Sequence, residues 1–262
     1  MSNLNKFFDE IYVIYIPSRE TYIRKMIKDL GIKAKFIPAI LIEDLPSFKE
    51  LLKDNKLNNY FFHKHLKYEG WTKDTNLDDL EKAAKNNKTD SDKYLRGLKG
   101  KLALQLSYLK IFDLFLDTKA EHCLIFEDDI TLKTDDFVKE KKNLMLRIES
   151  IFNVELKNKK YDYLNLGRCF DKCNINTPIS KNLIVDSYPL CTHACVYSRK
   201  VAEELIKISL PLTMGGDHLI QTQFYLNPKF KCYTARPALF FQNKTFKSTL
   251  GNSNKELPEC GK

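Results

Sequence analysis

The chain predicts an α/β domain of three layers, built on a central, mostly parallel sheet. Two patterns lead there. Short apolar segments rich in β-formers alternate along the chain with longer segments of helical periodicity. The chain also opens strand, helix, strand, the unit that crosses over to a parallel neighbour.

In that opening, residues 11–16 (IYVIYI) form a buried strand that Pro17 stops. Residues 20–30 carry Tyr22, Ile23, Met26, Ile27 and Leu30 at helical spacing, and Gly31 fits the C-terminal cap. Residues 35–40 (KFIPAI) give a second strand with a bend at Pro38. Residues 43–94 read poorly: short helical patterns mix with polar runs, and 82–92 (KAAKNNKTDSD) are expected to be a mobile loop. The chain is therefore taken as one domain over 1–262, with a variable, partly mobile insertion at about 43–94. Trp71 is expected to pack that insertion on the core, with ligand stacking as the alternative.

Order returns at residues 100–116, where Leu102, Leu106, Leu109, Phe112 and Leu116 make an apolar helical stripe. Residues 122–126 (HCLIF) are a central strand, 137–151 a helix and 161–166 (YDYLNL) a strand that runs into Gly167. Residues 192–197 give a further strand, 198–208 a helix with Ser198 as its cap, and 217–226 a short helix after Gly215-Gly216.

The totals set bounds. In 262 residues, 43% hydrophobic and 12% aromatic, there is enough apolar mass for a sizeable core. The net charge of +9 comes from 43 Lys plus Arg against 34 Asp plus Glu and favours anionic partners, or simply solubility. It is spread along the chain with no basic block, so nucleic acid is not expected as a partner. No run approaches the roughly 18 to 20 apolar residues that cross a bilayer, and the acidic N-terminal stretch does not read as a secretion signal. The expectation is a cytoplasmic protein for which peripheral membrane contact stays open. Among the seven cysteines, Cys169, Cys173, Cys191 and Cys195 are spaced for a zinc site or a disulfide, but the reading adopted is ordinary core thiols.

The sharpest local feature is Glu127-Asp128-Asp129, three carboxylates directly after a buried strand. Such crowding calls for a strong partner or for water. Mg²⁺ or Mn²⁺ takes oxygen ligands, and a metal on a diphosphate stabilises a departing leaving group. If the strand continues, Glu127 and Asp129 share one face and Asp128 points to the other. A solvated acidic turn is the alternative. Asp217, in Met-Gly-Gly-Asp-His, is either a helix N-cap or a general base for a hydroxyl. His218 beside it is a metal ligand, a phosphate contact or a satisfied surface histidine. Arg19 and Arg24 follow the first strand, where a guanidinium can fork onto phosphate or lie on a solvated face. Arg168, Gln242, Asn243 and Ser248 are weaker candidates. No phosphate-cradling Gly-rich loop, Gly-x-Ser-x-Gly elbow or HExxH is present.

This ordered series resembles glycosyltransferase family 25. The opening IYVIYIPSRETYIRKM is similar to the family's first strand and Arg-containing segment, HCLIFEDDI to its acidic motif, and Ser198-Arg199 to its Ser-Arg pair. Asp217 matches a late aspartate, and residues 237–250 resemble the closing segment. Residues 100–108 (GKLALQLSY) look like its Gly-Glu-x-Gly-Cys-x-x-Ser-His motif, with Lys101, Ala103, Leu104 and Tyr108 as departures. The resemblance covers most of the chain outside 43–94. It implies a GT-A-like, Rossmann-type fold, a UDP-sugar donor, Mn²⁺ or Mg²⁺, and inversion at the anomeric carbon. It implies Glu127 and Asp129 at the metal and diphosphate, Asp128 near the donor sugar or ribose, and Asp217 as the base. From the residues themselves, His218 is a further candidate at the metal, and Arg19 and Arg24 are candidates at the donor phosphate. Lys101, a departure from the family motif, is either a phosphate contact facing the cleft or a surface residue. The acceptor would be a hydroxyl of a glycan, a lipid-linked sugar or a glycosylated protein. The alternative is a catalytically impaired nucleotide-sugar or carbohydrate-binding domain, motivated by the Lys101 and Tyr108 departures.

Overall fold

The computed structural model describes residues 4–68, 75–133, 136–169, 176–185 and 189–246. The strands are β1 (Glu10–Tyr15), β2 (Lys35–Pro38), β3 (His122–Phe126), β4 (Ile130–Thr131), β5 (Tyr163–Asn165), β6 (Thr177–Pro178), β7 (Leu183–Val185), β8 (Ala194–Ser198), β9 (Cys232–Ala235) and β10 (Phe241–Gln242). The α-helices are α1 (Glu20–Leu30), α2 (Phe48–Lys53), α3 (Asn59–Tyr68), α4 (Leu77–Asn86), α5 (Asp90–Leu116), α6 (Phe137–Ser150), α7 (Arg199–Ile208) and α8 (Gly216–Ile220).

The main sheet has the order β2-β1-β3-β8-β5-β9-β7-β6, and β10 pairs with β4 in a small second sheet. The sheet is not the mostly parallel one that the sequence predicts. β1 is parallel to β2 and β3, and β5 to β9. Against these stand the antiparallel pairs β3·β8, β5·β8, β7·β9 and β6·β7, so the large mixed sheet is mostly antiparallel. The physical reason is insertion. β8 enters between β3 and β5 and runs against both, and β7 runs against both of its neighbours. Alternation of strands and helices in sequence does not reveal such an inserted strand.

Side chains alternate across β1 as a pleat requires. Ile11 and Val13 join a core with Ile23, Ile27 and Leu30 of α1 and Leu144 and Ile148 of α6. Tyr12 and Ile14 face the other way, into a core with Tyr108, Ile111 and Phe112 of α5 and Val201 and Leu205 of α7. Helices thus cover both faces. Gly31 adopts φ 75° at the end of α1 as its cap, and Ser198 Oγ accepts from Val201 N–H at the start of α7.

Within 43–94 the described residues form helices. α2, α3, α4 and the first half of α5 enclose a third core containing Phe48, Leu51, Phe62, Leu80, Leu95 and Leu98. The run expected to be a mobile loop forms the end of α4, a turn at Asn87 (φ 51°) and a capping box, in which Thr89 accepts from Asp92 N–H and opens α5. Lys99 is buried in this lobe, with Nζ 2.7 Å from Glu81 Oε1 and 2.9 Å from the Pro46 carbonyl. Leu57 bridges to Leu212, which fastens the lobe to the body. Among the described residues, no helix is long and apolar enough to cross a membrane. Trp71, Cys173, Ser248 and Cys260 lie outside the described residues.

Candidate active site

A cleft of about 700 Å³ opens at the C-terminal ends of β1 and β3. One wall carries Arg19, Glu127, Asp128, Asp129, Gln242, Asn243 and Phe246. The facing wall is the start of the helical lobe, with Ile40 to Glu43 and the Lys93, Arg96, Gly97, Gly100, Ala103 and Leu104 positions of α5. Gly97, Gly100 and Ala103 recur at helical spacing, and their small size keeps α5 from filling the space.

The acidic residues follow β3 and take different partners. Asp128 turns to the first strand: Oδ2 accepts from Ile16 N–H at 2.7 Å and Oδ1 from Arg19 Nη1 at 2.8 Å. Both members of that ion pair are about nine-tenths buried. Asp129 lies 3.7 Å from the same guanidinium, and Gln242 Nε2 is 3.4 Å from its Oδ2. Its Oδ1 is buried without a partner. Glu127 Oε1 lies 2.8 Å from the Tyr108 hydroxyl and accepts from Thr192 Oγ1 at 2.7 Å.

Electrostatics follow from this crowding. Burial, then repulsion from Asp129 and Asp128, pushes the Glu127 carboxyl up to about 7, against the lowering effect of the Thr192 and Tyr108 hydroxyls. Burial and the Asp128 charge push Asp129 up to about 6, with Arg19 opposing. His193, the neighbour of Thr192, is buried and its imidazole is pushed down to about 4 by desolvation.

Asp217 does not line this cleft. It sits in the first turn of α8, where Gly215 and not Asp217 is the N-cap. Its Oδ1 accepts from His218 N–H at 2.9 Å and lies 3.2 Å from His218 Nδ1. Burial works to raise this carboxyl, but the hydrogen bonds and charge of His218 and a 3.5 Å contact from Cys191 N–H outweigh it and hold it below the usual carboxylate range. The Asp217 bond in turn raises His218, with burial and Lys101 opposing. Asp217 is therefore joined to the acidic cluster through Cys191 and Thr192, one residue apart in the chain.

The structure thus brings Arg19, Glu127, Asp128, Asp129, Gln242 and Asn243 to one cleft. It places the remaining candidates elsewhere. Arg24 pairs with Glu20 and stacks over Phe36, His218 pairs with Asp217, and Lys101 lies over the Tyr94 ring. Tyr108 and Thr192, which hold Glu127, carried no signal in the sequence beyond Tyr108 standing where the resemblance places an imidazole.

The cysteines depart from the expectation of core thiols. Cys169 and Cys191 form a disulfide, while Cys123, Cys195 and Cys232 are buried and free. Among the described residues, the group of three or more His, Cys, Asp or Glu whose ligand atoms crowd together is Cys169, Cys191 and His193, and the acidic triad does not form such a group.

No curated protein matches the chain closely enough to provide a relative. A crystal structure of a glycosyltransferase involved in the glycosylation of the major capsid of PBCV-1 aligns over 89% of this chain and 94% of that chain. Its identity is 10% and its TM-score 0.37, a likeness too distant to carry an argument. The profile of glycosyltransferase family 25 (LPS biosynthesis protein) matches residues 8–220. That match runs from the approach to β1, through the acidic segment, to the helix that holds Asp217 and His218, and with it the chain belongs to glycosyltransferase family 25.

Proposed function

We propose that this chain is a metal-dependent, inverting transferase that moves a hexose from a UDP-sugar to a hydroxyl of a glycan or glycosylated protein. The observation that carries the reading is Asp129: a carboxylate with one buried, unpartnered oxygen at the edge of a cleft of about 700 Å³, in a chain of this family. That volume suits a nucleotide-sized ligand.

Among the described residues the three carboxylates do not converge as a ligand group, and the proposal of an oxygen-seeking cation, Mn²⁺ or Mg²⁺, rests on Asp129. Asp129 Oδ1 has no competing partner, and Glu127 and Asp129 are raised by burial first and by carboxylate repulsion second, a repulsion that a cation would offset. Asp129 would hold the ion, with Glu127 supporting it, while His218 is engaged with Asp217. When bound, such an ion would supply charge stabilisation to the departing diphosphate.

The chain's own residues supply the rest. Arg19 is fixed by Asp128 so that its guanidinium lies at the cleft wall, under the Phe246 ring at 4.9 Å. Asp128 ties the strand end to this arginine through Ile16 N–H and serves the geometry rather than the ion. Asp217, held ionised by His218, stands outside the cleft lining. Its proposed role is base for an acceptor hydroxyl that enters from its side, where Cys191 and Thr192 link it to Glu127. Lys93 and Arg96 lie on the facing wall, each paired with a carboxylate, Asp90 and Glu43.

A second reading has one observation in its favour. Glu127 Oε1 is already met by two hydroxyls, as in a site that binds a nucleotide sugar and no longer turns it over. A screen of UDP- and GDP-sugars for metal-dependent nucleotide release separates the two. Release of UDP from one UDP-hexose with Mn²⁺ or Mg²⁺ supports the transferase. Binding without release selects the second reading, and absence of both binding and release with either metal removes both.

A further inference from the structure

The disulfide lies against the acidic cleft without belonging to the proposed chemistry. Gln242 joins the two places: its Oε1 is 3.2 Å from Cys169 Sγ, and its Nε2 is 3.4 Å from Asp129 Oδ2. The sulfurs of Cys169 and Cys191 and a ring nitrogen of His193 lie within 4.8 Å of one another. His193 is 1% exposed. Its Nε2 lies 3.2 Å from the Phe240 carbonyl, which can only accept, so this nitrogen carries the ring proton. Nδ1 is then a lone pair, and it is buried with no partner. An acceptor stranded in a dry interior is unfavourable, because it has left water without gaining a partner. A backbone carbonyl on one imidazole nitrogen and an open lone pair on the other is the arrangement in which histidine ligates metals.

We propose that in the reduced chain Cys169, Cys191 and His193 form a binding site for one soft divalent cation of the zinc class, and that this form and the disulfide are alternative states of the same loop. Two thiolates and an imidazole suit zinc and suit Mg²⁺ poorly. The sulfurs of a tetrahedral zinc site stand about 3.8 Å apart, a separation that side-chain rotation supplies once the covalent bond is open. The chemistry balances. A dithiol reductant attacks the disulfide and becomes a cyclic disulfide, and each cysteine sulfur gains one electron and one proton. The cation then displaces both thiol protons to solvent. Cys195, one of the cysteines whose spacing suggested zinc, is excluded, because it is buried beneath the Tyr163 hydroxyl at 2.9 Å. His193 takes its place.

The test uses the full chain in excess Mg²⁺, which occupies any oxygen-lined site. One sample is oxidised. The other is reduced with a dithiol that is then removed anaerobically. Zinc is titrated against a chromophoric chelator, and cobalt in parallel. The reduced chain is expected to bind one zinc more than the oxidised chain and to show thiolate-to-cobalt charge-transfer absorption. Cys169→Ser and Cys191→Ser should each lose both signals, and His193→Gln should weaken zinc binding about tenfold. Equal zinc binding by the reduced and oxidised chains, or a cobalt band that survives both cysteine substitutions, overturns the proposal. Should His193→Gln fail to fold, the cysteine variants decide. None of these readouts depends on sugar transfer.

Discussion

Replacing Glu127 by Gln should change the pH dependence of stability in a defined direction. Burial and the neighbouring carboxylates raise Glu127 from 4.5 to about 7 in the folded chain. A group whose folded value is raised adds stability that is fully present below its unfolded value and is lost as pH climbs through the folded one. Wild-type stability, measured relative to Glu127→Gln, should therefore fall from pH 5 to pH 8. A separation of this size gives on the order of 2–3 kcal/mol across that interval. For a chain of this length that is a melting-temperature difference of about 5–10 °C. The assay is urea unfolding of both proteins at several pH values with a chelator present. The comparison cancels carboxylates remote from the cleft, several of which are held low and act in the opposite direction, such as Glu155 and Asp92. Asp129, whose charge repels Glu127, titrates together with it and contributes to the same difference. A stability gap between the two proteins that stays constant from pH 5 to 8 refutes the view that Glu127 titrates as a crowded, buried acid.

Other substitutions probe the neighbouring pieces. Arg19→Met removes the partner of a nine-tenths buried carboxylate and should cost about 3 kcal/mol in urea unfolding; a cost under about 0.5 kcal/mol would mean that Asp128 is hydrated. Gly167→Ala places a Cβ 2.3 Å from His193 Nε2 and 3.0 Å from the Phe240 carbonyl, and should lower stability by about 1–3 kcal/mol. An unchanged melting temperature would show that the ring and loop can give way. Once a donor is known, Asp217→Asn should lower kcat by about 10²–10⁴-fold with little change in donor KM; an unchanged kcat removes Asp217 as the base.

Much of the framework was legible because local physics set it. The run 122–126 could only be a strand, and the helix ending at Gly31 carried its own cap. The sheet's pairing was not legible, since β8 is placed between β3 and β5 by tertiary packing and its own residues carry no mark of direction. Residues 82–92 resemble a mobile loop in sequence because α4 and the start of α5 meet there at a polar turn. The capping signal at Thr89 and Asp92 was present but was outweighed by the surrounding Lys, Asn and Asp. For the site, proximity along the chain located Glu127, Asp128 and Asp129, and the position after β1 located Arg19. Tyr108, Thr192 and His193 come from distant segments, and only the fold brings them to the acidic cluster.

Calorimetric titration of UDP, with and without Mn²⁺, into wild type and Asp129→Ala tests the central claim most directly. The account predicts that Mn²⁺ tightens UDP binding to the wild type and that the gain disappears in Asp129→Ala. UDP that fails to bind in the presence of either metal, or an Mn²⁺ effect that persists undiminished without the Asp129 carboxylate, would contradict it.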